Sequence, residues 1–160
     1  IQLEQFGLVE KIPHKGTRVV NKTDDEIREL IIIRSQLEEL AALLASENMD
    51  AGDFRNLDAI ERKILSAVNK NQYFELIKHD LEYHKYIWGK SGNSTLEKLL
   101  EQVTVPIFAV MGIKHSTRDQ ALKNVVASHS RITVAIASRD RDKIESAYKA
   151  DMEESYGIYF

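Results

Sequence analysis

From Thr23 onward the sequence carries helix-start signals at regular intervals, and this constrains the fold more than any other feature. Thr23-Asp-Asp-Glu26 is a capping box, in which the threonine hydroxyl and the glutamate carboxylate each accept a backbone N–H at the helix start. Asp50 is placed to cap a second helix, and Ser94-Thr-Leu-Glu97 reads as another capping box. Thr117-Arg-Asp-Gln120 opens a further helix, and Asp140 opens the last. Between these starts the apolar residues recur with helical period. The first stripe is Ile27, Leu30, Ile31, Arg34, Leu37, Ala41 and Leu44, and the second is Phe54, Leu57, Ile60, Ile64 and Val68. Tyr73, Ile77, Leu81, His84 and Trp88 form a third, and Leu96, Leu99, Leu100, Val103, Ile107 and Val110 a fourth. Pro106 is expected to kink the fourth helix, since it removes a donor and clashes with the preceding turn. The pattern predicts an all-α antiparallel bundle of about six helices with short connections.

Residues 1–22 differ in texture. Two short extended runs, 7–12 and 17–20, flank Pro13-His-Lys-Gly16, which predicts a short β-hairpin before the bundle. A basic tip carrying His14, Lys15 and Arg18 suits contact with phosphates, and a solvated turn fits those residues equally well.

Charge and composition then remove several classes of function. A formal net charge of -3 gives no broad attraction for nucleic acid or an anionic membrane. With no cysteine, disulfides and thiolate-held metals are excluded, which fits a reducing cytoplasm. No apolar run approaches the roughly 20 residues of a membrane span, and no signal peptide is read. The chain lacks an initiator Met and begins inside an amphipathic segment, as expected for a fragment.

Polar residues that interrupt apolar stripes carry the functional signal. Asp80 and His84, one turn apart, project side by side from the third stripe. His129 sits at the centre of the stripe of Leu122, Val125, Val126, Ile132, Thr133 and Ile136. Asp151 is in line with Ile144, Ala147, Tyr148 and Ser155, and Arg34 interrupts the first stripe. Burying such groups is costly unless something compensates. Two histidines and two carboxylates from three helices suit zinc, nickel, manganese or ferrous iron. A buried Asp–His network that fixes helix register is the alternative. Arg34 is then either the cation of that network or a bidentate contact for an anionic ligand. His79 and Glu82 fall on the opposite face, and His115 lies in a loop with no visible constellation. No Gly-rich phosphate loop, Ser/His/Asp arrangement or glutamate-rich di-iron pattern occurs.

Several of these pieces occur in an order and spacing that resembles a known family. They are Arg34-Ser-Gln-Leu-Glu38 with Ala41-Ala42 and Leu44-Ala45, then Asp80-Leu-Glu-Tyr-His84 and Ser91-Gly-Asn93. His129-Ser-Arg-Ile132 with Ala135-Ile136, and Arg139-Asp140 followed by Ala147 and Asp151, complete the set. Together they resemble the FCD domain, the effector-binding domain of FadR-subfamily GntR transcription regulators. Glu4-Gln-Phe-Gly-Leu-Val9 and Pro13-His-Lys-Gly-Thr17 look like the end of the GntR winged helix-turn-helix. The resemblance implies that 1–22 is the remnant of that DNA-binding domain, including its wing, and that 23–160 is the effector domain. It also implies a divalent metal on Asp80, His84 and His129, with Asp151 in the position where the family has a fourth ligand, a histidine. Ser128 stands where the family often has Glu. Further implications are a small carboxylate or sugar-acid effector near Arg34, operator DNA bound through the full-length protein, a homodimer, and no membrane association. The competing reading, a metal-dependent hydrolase or lyase on a helical bundle, needs a separate general base, and none is evident.

Overall fold

The computed structural model describes residues 9–13, 16–19, 22–114 and 119–157. Strands β1 (Val9–Ile12) and β2 (Gly16–Val19) pair antiparallel, with Glu10 opposite Arg18 and Ile12 opposite Gly16. Gly16 takes φ 94, a conformation closed to most side chains, which explains a glycine at the entry to β2. Among the described residues six helices follow: α1 (Asp24–Asn48), α2 (Ala51–Asn69), α3 (Tyr73–Lys90), α4 (Ser94–Lys114), α5 (Asp119–Ser138) and α6 (Arg141–Tyr156). None of the described helices is long and apolar enough to cross a membrane.

Local chemistry sets most of the helix starts. Glu26 N donates to Thr23 Oγ1 at 3.2 Å, and Thr23 N donates back to Glu26 Oε2 at 2.7 Å, as the capping box predicts. Asp50 Oδ1 accepts from Gly52 N and Asp53 N at the start of α2. The start of α4 differs from expectation by one residue. Leu96 N donates to Asn93 Oδ1 at 3.1 Å, so Asn93 is the cap and Ser94 is already helical. The α4 helix is continuous from Ser94 to Lys114 with Pro106 inside it. Thr117 and Arg118 lie outside the described residues.

The helix α1 packs against α3, α4, α5 and α6, which places it at the middle of the bundle. Among the described residues, three apolar clusters surround it. One joins Leu57, Ile60, Ile64, Ile87, Ile132 and Ile144 to Ala42 and Ala45. Another joins Ile27 and Ile31 to Ile107, Met152 and Tyr156, and a third joins Ala41 to Trp88, Leu96 and Leu100. Arg34 and Glu38 lie on α1 between Ile31 and Ala41, where the three clusters meet, and both are buried.

At the outer end of α2, Asp53 ties two helices together. It accepts from Tyr86 Oη and pairs with Lys90 Nζ, each at 2.7 Å. The hydrogen bond from Lys90 is the main cause that lowers its pKa to about 2. A carboxylate lowered in this way adds stability above its ordinary pKa of 3.8, and that stability fades as pH falls through about 2. Asp53→Asn is expected to cost about 1 kcal/mol at pH 7, after allowing for solvent around Lys90, and progressively less toward pH 2. Urea unfolding at pH 7 and at low pH tests this; an equal loss at both would contradict it.

Candidate metal centre

Residues one turn apart on α3 begin the site. Asp80 and His84 face α5, where His129 interrupts the apolar stripe, and donor atoms of the three lie within 4.8 Å of one another. His129 Nε2 is 2.9 Å from Asp80 Oδ1, and His84 Nε2 is 3.5 Å from the same oxygen. Donors held about 2.1 Å from a tetrahedral metal sit roughly 3.4 Å apart, so this spacing suits a shared cation. One carboxylate and two imidazoles also suit the borderline divalent metals.

Behind His84 stands Glu38. Its Oε1 is 2.9 Å from His84 Nδ1, an ion-pair approach in which the N–H is not squarely aligned. Trp88 Nε1 donates to the same oxygen at 3.1 Å, and Arg34 Nη2 donates to it at 3.2 Å. A carboxylate behind a histidine fixes the ring so that its other nitrogen faces a metal. Burial alone would raise the Glu38 pKa, but the charges of Arg34 and His84 outweigh it and hold the group at about 2. The same contest governs His84: burial favours the neutral ring, yet the charge of Glu38 raises its pKa to about 9. For Asp80, burial is overcome by hydrogen bonds from His129 and His84, which hold the carboxyl below its ordinary range.

His129 is oriented by Tyr83. The two rings stack with centroids 4.1 Å apart and planes 16° from parallel. The Tyr83 hydroxyl donates to the His129 backbone oxygen at 2.9 Å and lies 2.9 Å from Thr133 Oγ1. Thr133 in turn donates to Glu61 at 2.6 Å.

Two further residues singled out by sequence lie outside the cluster of three donors. Asp151 is buried beside the site but is not among the clustered donors. Its Oδ1 accepts from Ser128 Oγ at 2.5 Å and from Ser155 Oγ at 3.4 Å, so two hydroxyls hold it to α5 and to its own helix. Arg34, read from the sequence as either the cation of a buried network or a contact for an anionic ligand, is 1% exposed and engaged within the protein. It pairs with Glu38, donates to the Tyr156 hydroxyl, and lies over the rings of Phe108 and Tyr156. Its Nη2 is also 3.3 Å from His84 Nε2.

Sequence reading did not assign Glu38, Tyr83 or Tyr156 to the site. Glu38 had a signal, a carboxylate one turn from Arg34 and next to buried alanines. The inward face of α3 also includes Leu76, Tyr83 and Ile87, while Ile77 and Leu81 are only half-buried. His79 and Glu82 form an outer ion network, with His79 Nδ1 2.8 Å from Glu82 Oε2 and Lys63 Nζ 2.9 Å from Glu82 Oε1. His14, Lys15 and His115 lie outside the described residues.

Comparison with known proteins agrees with this architecture. Residues 29–154 match the model of the FCD domain. The chain is 24% identical over 141 residues to the HTH-type transcriptional regulator YdhC of Bacillus subtilis, covering 88% of this chain and 62% of the relative. It is 23% identical over 156 residues to the probable D-xylose utilization operon transcriptional repressor of Paenarthrobacter nicotinovorans, covering 91% of this chain and 63% of that protein. It thus spans less than two thirds of the length of either curated relative. The solved structure of E. coli McbR/YncC superposes with a TM-score of 0.84 at 19% identity, covering 99% of this chain and 79% of that one, which shows a shared fold.

Proposed function

The chain belongs to the FCD domain family, and on that premise we propose that it is the effector-binding part of a ligand-responsive transcription regulator. In this reading Asp80, His84 and His129 hold a divalent transition metal, and a small organic ligand binds beside it. A divalent cation held by these three residues would supply Lewis-acidic positive charge beside the ligand. Glu38 orients His84, Tyr83 orients His129, and Arg34 anchors Glu38 to α6 through Tyr156. Ligand binding then shifts the helices relative to one another, because the metal residues come from α3 and α5 and their supports from α1 and α6. The names of both curated relatives support the regulatory role.

The hairpin β1–β2 is proposed as the wing of a winged helix-turn-helix, with residues 1–22 as the remnant of that domain. His14, Lys15 and Arg18 contact operator phosphates, and a cytoplasmic homodimer places two such domains on adjacent half-sites. The observation that carries the proposal is the buried convergence of Asp80, His84 and His129 with Glu38 set behind one of the imidazoles.

Calorimetric titration with zinc, nickel and manganese tests it through pH. Metal uptake requires neutral His84, which in the metal-free chain keeps its proton up to about pH 9. Affinity is therefore expected to rise about tenfold per pH unit between the ordinary histidine value of 6.5 and about 9, with one proton released from His84. The stability that protonated His84 gives the metal-free chain is fully present below 6.5 and is lost as pH rises through about 9. Affinity that does not change across this window would contradict the assignment of His84.

A further inference from the structure

The two imidazoles of the candidate centre are held in different ways. Behind His84 stands the carboxylate of Glu38, 2.9 Å from Nδ1. His129 Nδ1 is buried and has no hydrogen-bond partner among the described residues. A histidine that ligates a metal ordinarily gives its second nitrogen to a carboxylate or carbonyl, which sets the orientation of the ring. For His129 that task falls to Tyr83, whose ring lies 4.1 Å from the imidazole and 16° from parallel. His129 is therefore only as well oriented as Tyr83 is.

Tyr83 is fully buried. Its hydroxyl donates to the His129 carbonyl at 2.9 Å, and Thr133 Oγ1 lies at the same distance from the Tyr83 oxygen. One lone pair of that carbonyl serves the α5 helix, which leaves one for a side chain. Thr133 follows His129 by one turn on α5. A helical threonine hydroxyl readily bonds back to the carbonyl four residues earlier, which here is that of His129. Tyr83 and Thr133 thus stand as rivals for a single acceptor. Glu61 decides between them. It is half-buried on α2, and its Oε1 accepts the Thr133 proton at 2.6 Å. Thr133 has only that one proton to give, so the His129 carbonyl is left to Tyr83.

We propose that Glu61 is a positioning residue for the metal centre. By holding the Thr133 proton it leaves the His129 carbonyl to Tyr83, whose ring then fixes the His129 imidazole. The inference rests on the metal-centred reading above and extends it to α2, a helix that supplies none of Asp80, His84, His129 or Glu38. The test uses the full chain, with zinc uptake by the wild type measured first. It compares Glu61→Ala, Glu61→Gln, Thr133→Val and the double variant of Glu61→Ala with Thr133→Val. Zinc affinity is read by competition with a chromogenic chelator, and the visible spectrum of the cobalt-loaded chains reports the geometry of the donors.

Glu61→Ala frees the Thr133 hydroxyl to turn to the His129 carbonyl, and is expected to weaken zinc binding about tenfold and to alter the cobalt spectrum. Glu61→Gln keeps an acceptor oxygen for Thr133 and is expected to match the wild type. Thr133→Val removes the rival hydroxyl, so it and the double variant are both expected to hold zinc as the wild type does. Recovery in the double variant separates positioning from a structural tie, because a bond between α2 and α5 that only stabilised the fold stays broken there. Wild-type affinity and spectrum in Glu61→Ala overturn the proposal. So does a double variant no better than Glu61→Ala, or a Glu61→Gln variant that loses as much. Each of these, with zinc bound by the wild type, leaves the metal-centred reading standing, whereas a wild-type chain that takes up no zinc overturns both.

Discussion

Arg34→Ala is expected to destabilise the chain by about 3–5 kcal/mol, because it strands the buried carboxylate of Glu38. Glu38 is fully buried, and Arg34 is its permanently charged partner. The same change removes the donor to the Tyr156 hydroxyl and the cation packed on Phe108, so α1 loses ties to α6 and α4 together. For a chain of this length the loss corresponds to a fall of roughly 10 °C in the melting temperature. Replacing both partners with apolar residues, Arg34→Met with Glu38→Leu, is expected to recover a large part of the stability, since no charge is then left unpaired. Urea unfolding of the single and double variants measures this. A loss below about 1 kcal/mol for Arg34→Ala would mean that Glu38 is compensated elsewhere and that the guanidinium is free for a ligand.

His84→Ala and His129→Ala are each expected to weaken metal binding by more than about a hundredfold, beyond the effect usual for an outer residue. The two variants should differ in stability. His84→Ala also removes a partner of Glu38 and should destabilise the metal-free chain, whereas His129→Ala removes a ring stacked on Tyr83 and one contact to Asp80. Asp151→Ala separates the two accounts of that residue. With Oδ1 held by Ser128 and Ser155, it is expected to change metal affinity by no more than about tenfold. A loss equal to that of His84→Ala would make Asp151 a ligand. Metal competition with a chromogenic chelator resolves all three variants.

What the sequence made legible was the local chemistry. Thr23, Asp50 and Asp140 cap helices because a short acceptor before an apolar run needs only its own backbone as partner. Asp80, His84 and His129 stood out because each interrupts an apolar stripe, and the stripes define which faces meet. Glu38 was harder to read, since its role depends on α3 bringing His84 and Trp88 alongside it. The placement of Asp151 depends on Ser128 from another helix, a pairing that spacing along the chain does not encode. Tyr83 was missed for another reason. A tyrosine suits a half-exposed position as well as a core one, and only its stacking on His129 and the bond to that residue's carbonyl decide the matter. The cap at Asn93 instead of Ser94 came down to two adjacent residues that are both good caps.

The most direct test is elemental analysis of tag-free protein purified with neither added metal nor chelator. The account predicts one transition metal per chain, lost in both His84→Ala and His129→Ala. A wild-type chain that carries none, even after soaking with zinc, nickel and manganese, would contradict it and leave Asp80, His84, His129 and Glu38 as a structural hydrogen-bond network.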